Sequence, residues 1–360
     1  TRIAGTVADS VGKPIAGAIV SLTDAKGRTE SVYSNAAGAF ALDAGLNGSL
    51  RLHIRKRYHE DFTAKLAAGA KGKSMSVKLA AITDPKRLSD EAPSLSHFSR
   101  IAFDKDEKGI FSRANFTRDC LSCHSLGNAS TRWPRPPEGW MPTVQRMHGY
   151  VGNVDQEQMR QRAALLALAF DDTPITSRPE VTYDPSISES KVYRWRLDKA
   201  VMPHDAEVSH ANGKIYMTDF MAGALTEFDL KTGRATMFHE PADGSPPGGY
   251  FTKIGMPPPY GLMLSHAPHS LAEGKGGKFY STDSIGCTLT EFDPMTKRFR
   301  HYDVGSGGLY PHTVRVDAKG VVWFTVIFTN QVARFDPATQ SMKVIQLPAT
   351  PAGRAMMNMP

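Results

Sequence analysis

The sequence predicts a multidomain, mainly β protein. It comprises an N-terminal β-sandwich, a small α-helical domain and a β-propeller that is incomplete at residue 360. Three observations predict this. Pro-His pairs at Pro203-His204, Pro268-His269 and Pro311-His312 head a repeat, the last two 43 residues apart. Four strands in such a period make one propeller blade. The 31 Gly and 24 Pro supply the turns that many short strands need. Helical spacing of apolar residues is confined to the middle of the chain, clearest at Met159, Ala163, Leu166 and Ala167. With 41% hydrophobic and 22% charged residues the chain is globular rather than largely disordered. It holds no run of eighteen apolar residues, so no transmembrane segment is expected.

Residues 1–82 read as the sandwich. Short alternating segments at 2–7, 18–22, 40–42, 50–54 and 76–79 are separated by Gly, Asp, Lys and Asn turns. No titratable cluster occurs in them, which points to a docking or spacer module. The runs Ile3-Ala4-Gly5-Thr6-Val7, Gly12-Lys13-Pro14-Ile15-Ala16-Gly17-Ala18 and Gly38-Ala39-Phe40 carry a resemblance. The segment resembles the carboxypeptidase regulatory-like (transthyretin-like) domain.

Residues 83–100, rich in Pro, Ser and Asp, read as a linker. Residues 101–178 turn helical, with helices expected at 112–124, 143–150 and 154–170, the last opened by Asp155. This region contains Cys120-Leu121-Ser122-Cys123-His124, a Cys-x-x-Cys-His sequence. Both thiols of such a motif can add to the vinyl groups of a haem, and the adjacent imidazole then coordinates the iron. The chain's 3 cysteines cannot make a disulfide framework. A zinc site lacks its second cysteine pair, and a redox dithiol lacks a βαβ setting. The reading is one covalent haem c on Cys120, Cys123 and His124. For the sixth iron ligand the sequence offers Met147, Met141 and His148. A thioether raises the haem potential, whereas a second histidine lowers it. Trp133, Trp140 and Pro142 are expected to line the crevice and Arg146 to meet a propionate. The run Trp140-Met141-Pro142-Thr143-Val144-Gln145-Arg146-Met147 resembles a segment of some bacterial cytochrome c domains, including those of quinohaemoprotein dehydrogenases. That resemblance implies Met147 as the axial ligand. Cys287, left over, reads as a small buried hydrophobe.

Residues 179–360 read as the propeller. Second strands are expected at 214–219, 278–283 and 321–325, and fourth strands at 234–239, 298–302 and 342–347. Third strands end in Phe228-Asp229, Phe292-Asp293 and Phe335-Asp336. A Gly/Pro-rich insertion around 241–262 lengthens the first interval, and 181–185 with 191–197 read as the remains of a further blade. The sequence stops at Met359-Pro360, near a blade boundary. A ring needs at least four blades, so another chain or chain segment is expected to complete it. His204, His269 and His312 occupy one equivalent place and would ring the axis. Imidazoles converging there can bind a second metal or act as acid and base; alternatively each caps a turn of its own blade. His210, His239 and His266 read as loop residues, and Tyr216, Tyr280 and Trp323 as blade core. The pattern running from Pro311-His312 through Trp323-Phe324-Thr325 to Phe335-Asp336-Pro337 resembles the streptogramin (virginiamycin B) lyase family over about residues 180–360. The resemblance implies a seven-bladed propeller and magnesium-dependent lactone opening by elimination. It assigns no catalytic residue here, because that family's catalytic His and Glu lie in later blades.

The net charge of +7 is scattered, with no long Lys/Arg run, which argues against nucleic acid as a partner. It suits solubility or an acidic redox partner protein. The opening at Thr1 looks like a processed N-terminus, and haem c is attached outside the bacterial inner membrane, so a periplasmic location is expected. The function expected is that of a periplasmic haem c oxidoreductase or electron-transfer protein. Its propeller would bind a small-molecule substrate or second cofactor, and its haem would pass electrons on. The alternatives are a lyase-like carbon–oxygen lyase with an ancillary cytochrome domain, and a non-enzymatic electron-transfer or scaffold subunit.

Overall fold

The computed structural model describes residues 1–67, 73–103, 112–121, 124–150, 155–176, 179, 182–241, 243–305 and 307–348. Two compact units make up the chain: Thr1–Met147 with Asp155–Arg196, and His148–Val154 with Leu197–Pro360. No helix among the described residues is long and apolar enough to cross a membrane.

The first unit opens with β1 (Arg2–Asp9), β2 (Ile19–Thr23), β3 (Thr29–Tyr33), β4 (Ala39–Asp43), β5 (Leu50–Arg55), β6 (Phe62–Leu66) and β7 (Lys73–Leu79). β1 pairs antiparallel with β4 and parallel with β7. Gly5 permits that approach, because a Cβ there would lie 2.1 Å from the Met75 carbonyl oxygen. The second sheet runs β6-β5-β2-β3-β8, where β8 is Lys191–Arg194. Alternation along β1, β2, β4 and β5 turns Ile3, Val7, Val20, Leu22, Leu42, Leu52 and Ile54 into one core. β3 is invisible to hydrophobic patterning because its buried residues include Thr29, Glu30 and Ser31. Glu30 is fully buried, with Lys191 Nζ at 2.7 Å and Arg28 Nη2 at 2.9 Å. Lys191–Arg194 is therefore not a remnant of a further blade. β3 presents an unpaired edge and a buried carboxylate, and this segment satisfies both. Thr182–Asp184 form no strand, and Val181 lies outside the described residues.

Helices α1 (Pro85–Asp90) and α2 (Ser94–Phe98) form within the stretch read as a linker. Asp84 caps α1, its carboxylate accepting the Arg87 N–H. α3 (Arg113–Leu121), α4 (Pro137–Tyr150) and α5 (Gln156–Ala169) follow. α4 starts earlier than expected, with Pro137 supplying a preset φ at its first turn. Asp155 caps α5 as expected, while Val154 lies outside the described residues. Phe98, Phe116, Trp140, Met159, Ala163, Leu166 and Phe170 share a core. The guanidinium of Arg162, fully buried beside it, is neutralised by Asp119 at 2.7 Å.

The second unit contains three four-stranded antiparallel meanders. They are β9 (Pro203–Val208) to β12 (Arg234–His239), β13 (Pro268–Glu273) to β16 (Arg298–Asp303), and β17 (Pro311–Val316) to β20 (Ser341–Gln346). Between them lie β10 (Ile215–Asp219), β11 (Ala224–Asp229), β14 (Phe279–Asp283), β15 (Thr288–Asp293), β18 (Val322–Val326) and β19 (Gln331–Asp336). The repeated Asp at each third strand's end caps the next turn: Asp229, Asp293 and Asp336 accept the N–H of Lys231, Met295 and Ala338. Thr218 donates to the His269 carbonyl at 2.9 Å and Thr282 to the His312 carbonyl, tying adjacent meanders through β13 and β17. Tyr216, Leu225, Leu271, Phe279 and Phe292 fill one core between meanders, and Val314, Val322, Phe324, Val326 and Phe335 belong to the next. The insertion carries α6 (Gly249–Lys253), whose Phe251 packs with Phe220, Ala267, Ile285 and Tyr310. Among the described residues these sheets close no ring, and Met359-Pro360 lie outside them.

Candidate functional site

His204, His269 and His312 each occupy the second position of a first strand, so the repeat stacks them in a row. Ring centroids are 3.8 Å apart from His204 to His269 and 4.0 Å from His269 to His312. His204 is exposed, His312 half-buried and His269 buried. Burial, then the charges of His312 and His204, pushes His269 down to about 2. Burial also lowers His312. The central ring is thus a neutral imidazole at working pH, and its buried Nδ1 has no hydrogen-bond partner among the described residues. The backbone carbonyls of His269 and His312 tie the sheets together, while the rings form an apolar-flanked imidazole row against Phe220.

A second cluster lies where the sequence indicated only a loop. His266 is not a surface loop residue: its side chain is 5% exposed. Its Nδ1 sits 2.6 Å from Asp283 Oδ2 and its Nε2 3.3 Å from Asp243 Oδ1. Asp283 Oδ1 meanwhile accepts the N–H groups of Ala267 and Gly286, each at 2.8 Å. Glu240, whose side chain is fully buried, places Oε2 3.7 Å from His266 Nδ1 and 3.6 Å from His301 Nδ1. The His266 and His301 rings stack at 4.7 Å. Thr290 Oγ1 bridges, 3.1 Å from His301 Nδ1 and 3.3 Å from Glu240 Oε2. Burial and the neighbouring Asp283 charge hold Glu240 well above the carboxylate range. Burial lowers His266, but the hydrogen bond and charge of Asp283 outweigh it and hold it up at about 9. Burial and the His266 charge lower His301. Among the described residues, Glu240, His266 and His301 form a group whose ligand atoms lie within 4.8 Å of one another.

The third place is the Cys-x-x-Cys-His segment. Cys120, in the last turn of α3, packs with Leu121 and Met141 on the core containing Phe116 and Trp140. Burial raises its thiol to about 11. Cys123 lies outside the described residues. His124 is exposed, with Nδ1 3.1 Å from the Ser125 carbonyl. α4 carries Met147, half-buried, and His148, buried. Trp140 is 1% exposed, and its indole N–H has no acceptor among the described residues. Arg135 lies 4.0 Å over its ring. A thiol, an imidazole, a thioether and an orphaned indole donor fit a haem chemically. Trp133 is 65% exposed. Pro142 and Arg146 are exposed as well. Cys287 is a free, buried thiol, raised by burial to about 12.

No curated protein sequence matches the chain. Among solved structures, a catalytically inactive virginiamycin B lyase from Staphylococcus aureus with quinupristin is similar at 18% identity, over 45% of this chain and 47% of that one, with a TM-score of 0.35. Kuenenia stuttgartiensis hydrazine synthase is similar at 12% identity, over 43% and 40%, with a TM-score of 0.31. A putative 6-phosphogluconolactonase from Bacteroides uniformis is similar at 14% identity, over 48% and 50%, with a TM-score of 0.34. The chain thus spans about half the length of these structures or less. Residues 2–80, which hold β1 to β7, match the carboxypeptidase regulatory-like domain family.

Proposed function

We propose that the chain is a periplasmic haem c protein of oxidoreductase type. The observation that carries this reading is the Cys120-x-x-Cys123-His124 sequence at the end of α3, beside a core with a buried, unpartnered Trp140 indole donor. Cys120 and Cys123 would hold the haem covalently, and His124 and Met147 would ligate its iron. The haem, when bound, supplies one-electron transfer. Around it, Phe116 and Trp140 exclude water from the thiol side, and the clamped Asp119–Arg162 pair keeps a buried charge neutral beside α3. The meanders β9–β12, β13–β16 and β17–β20 are read as propeller blades, with the row His204, His269 and His312 facing a small-molecule substrate. Their first strands lie side by side, as blades do around an axis. Electrons would leave to an acidic redox partner protein, for which the +7 charge is suited.

A second reading, a lyase with an ancillary cytochrome domain, draws on the same histidine row. Imidazoles brought together in one row could act as acid and base without any redox group. The test of the first reading is the chain produced with haem-attachment machinery and run on a denaturing gel. Haem that stays with the wild-type chain and is lost from Cys120→Ala and Cys123→Ala supports it. A wild-type chain without bound haem overturns it.

A further inference from the structure

The geometry points to a divalent transition-metal site formed by Glu240, His266 and His301, with Asp283 as an additional oxygen donor. It is independent of the haem and distinct from the row His204, His269 and His312.

Four observations carry it. Glu240 Oε2 lies between two imidazole nitrogens, 3.7 Å from His266 Nδ1 and 3.6 Å from His301 Nδ1. A contraction of a few tenths of an ångström to an ångström would let one ion touch all of them at bonding distance (about 2.0–2.2 Å). The site also holds orphaned polar atoms: among the described residues, neither Glu240 Oε1 nor His301 Nε2, both buried, has a hydrogen-bond partner. A buried carboxyl oxygen left with unused lone pairs is costly unless a donor or a cation meets it. The cluster is also rich in oxygen donors: among the described residues, the carboxyl groups of Glu240, Asp283 and Asp243 gather around His266 and His301. Finally, the surroundings are those of an outer ligand shell. Asp243 meets His266 on the ring nitrogen away from Glu240, the way an outer carboxylate orients a metal-bound imidazole. Gly286 leaves the room: a Cβ there would lie 2.1 Å from Asp283 Oδ2 and 3.1 Å from His266 Nδ1.

The donor set selects the ion. Two imidazoles with one or two carboxylates suit zinc or iron(II), whereas magnesium and calcium require oxygen ligands throughout. The site's ligands come from elements that the repeat does not use for chemistry elsewhere: the residue after β12, the loop before β13, and β16.

The experiment is equilibrium dialysis of the full chain against zinc chloride, followed by elemental analysis and a thermal melt. Cysteine thiols are blocked beforehand, by haem or by alkylation, so the outcome does not depend on the haem reading. The expected result is one zinc per chain, a melting temperature raised by zinc, and at least about tenfold weaker retention in Glu240→Gln and in His301→Gln. His269→Gln should keep the zinc. Circular dichroism of each variant separates lost binding from lost folding, and either variant that folds suffices for the test. Zinc retained equally by Glu240→Gln and His301→Gln, or lost only in His269→Gln, overturns the assignment; so does a wild-type chain that retains none.

Discussion

His266 Nδ1 lies 2.6 Å from Asp283 Oδ2, and both side chains are buried. The repeat shows what is unusual in this. Asp219 and Asp283 stand at one register position, opposite Pro203 and Pro268. Asp219 gives both oxygens to backbone, accepting from Val201 N at 2.7 Å and Met202 N at 2.8 Å. Asp283 concentrates its backbone bonds on Oδ1 and leaves Oδ2 for an imidazole. A structural aspartate in one meander has become part of a polar centre in the next.

Gly286 is the residue that makes this pairing sterically possible. Gly286→Ala would push a methyl group into Asp283 and His266, and should cost about 2–4 kcal/mol. Urea unfolding of the variant measures it, and an unchanged midpoint would show that the pair can shift aside without loss.

Glu227 gives a pH signature in the same unit. It accepts from Lys214 Nζ at 2.6 Å, Lys297 Nζ at 2.7 Å and Tyr216 OH at 2.7 Å. Burial raises its pKa, but these hydrogen bonds outweigh that and hold it at about 2. A carboxyl depressed on folding contributes stability above its unfolded pKa and loses it as pH falls through the folded value. Glu227→Gln should cost about 3 kcal/mol near neutrality and much less near pH 2, as read from denaturation curves across acid pH.

His269 predicts acid sensitivity of a different origin. Its folded pKa, about 2, lies below the unfolded value of a histidine. Below about pH 6.5 the unfolded chain takes up a proton that the folded chain refuses, so stability falls by about 1.4 kcal/mol per pH unit. His269→Gln should flatten the stability profile by that amount between about pH 6 and pH 4. A profile parallel to wild type would show that the row opens and protonates while folded.

The sixth ligand separates three side chains of α4. If Met147 holds the iron, Met147→His should lower the reduction potential by on the order of 100 mV, and Met141→Leu should leave it unchanged. The reverse pattern in a spectroelectrochemical titration would assign Met141, and indifference to both would leave His148.

Strand positions in the meanders were legible because three copies of one pattern stand in a single chain. Tyr216, Phe279 and Phe324 mark each second strand, and Asp229, Asp293 and Asp336 the turn between each third and fourth strand. β3 and β8 were not, because Glu30 and Lys191 make their pairing a matter of charge rather than of apolar alternation. α1 and α2 hid in a Pro- and Ser-rich stretch where capping by Asp84 and burial of Phe98 decide. The Glu240 cluster was missed for a related reason. The repeat marks the positions it keeps, whereas the cluster sits where the repeat changes. His301 faces Thr290 where Met237 faces Thr226 and Val344 faces Ala333. Glu240 follows β12 where Val304 follows β16 and Leu347 follows β20. A buried polar residue replacing two apolar ones was the available signal.

Elemental analysis of the chain matured with haem-attachment machinery tests the account most directly. The account predicts one iron per chain, removed together with covalent haem by Cys120→Ala with Cys123→Ala, and retained in Glu240→Gln. Iron absent from the wild-type chain, or present but insensitive to the cysteine substitutions, would contradict it.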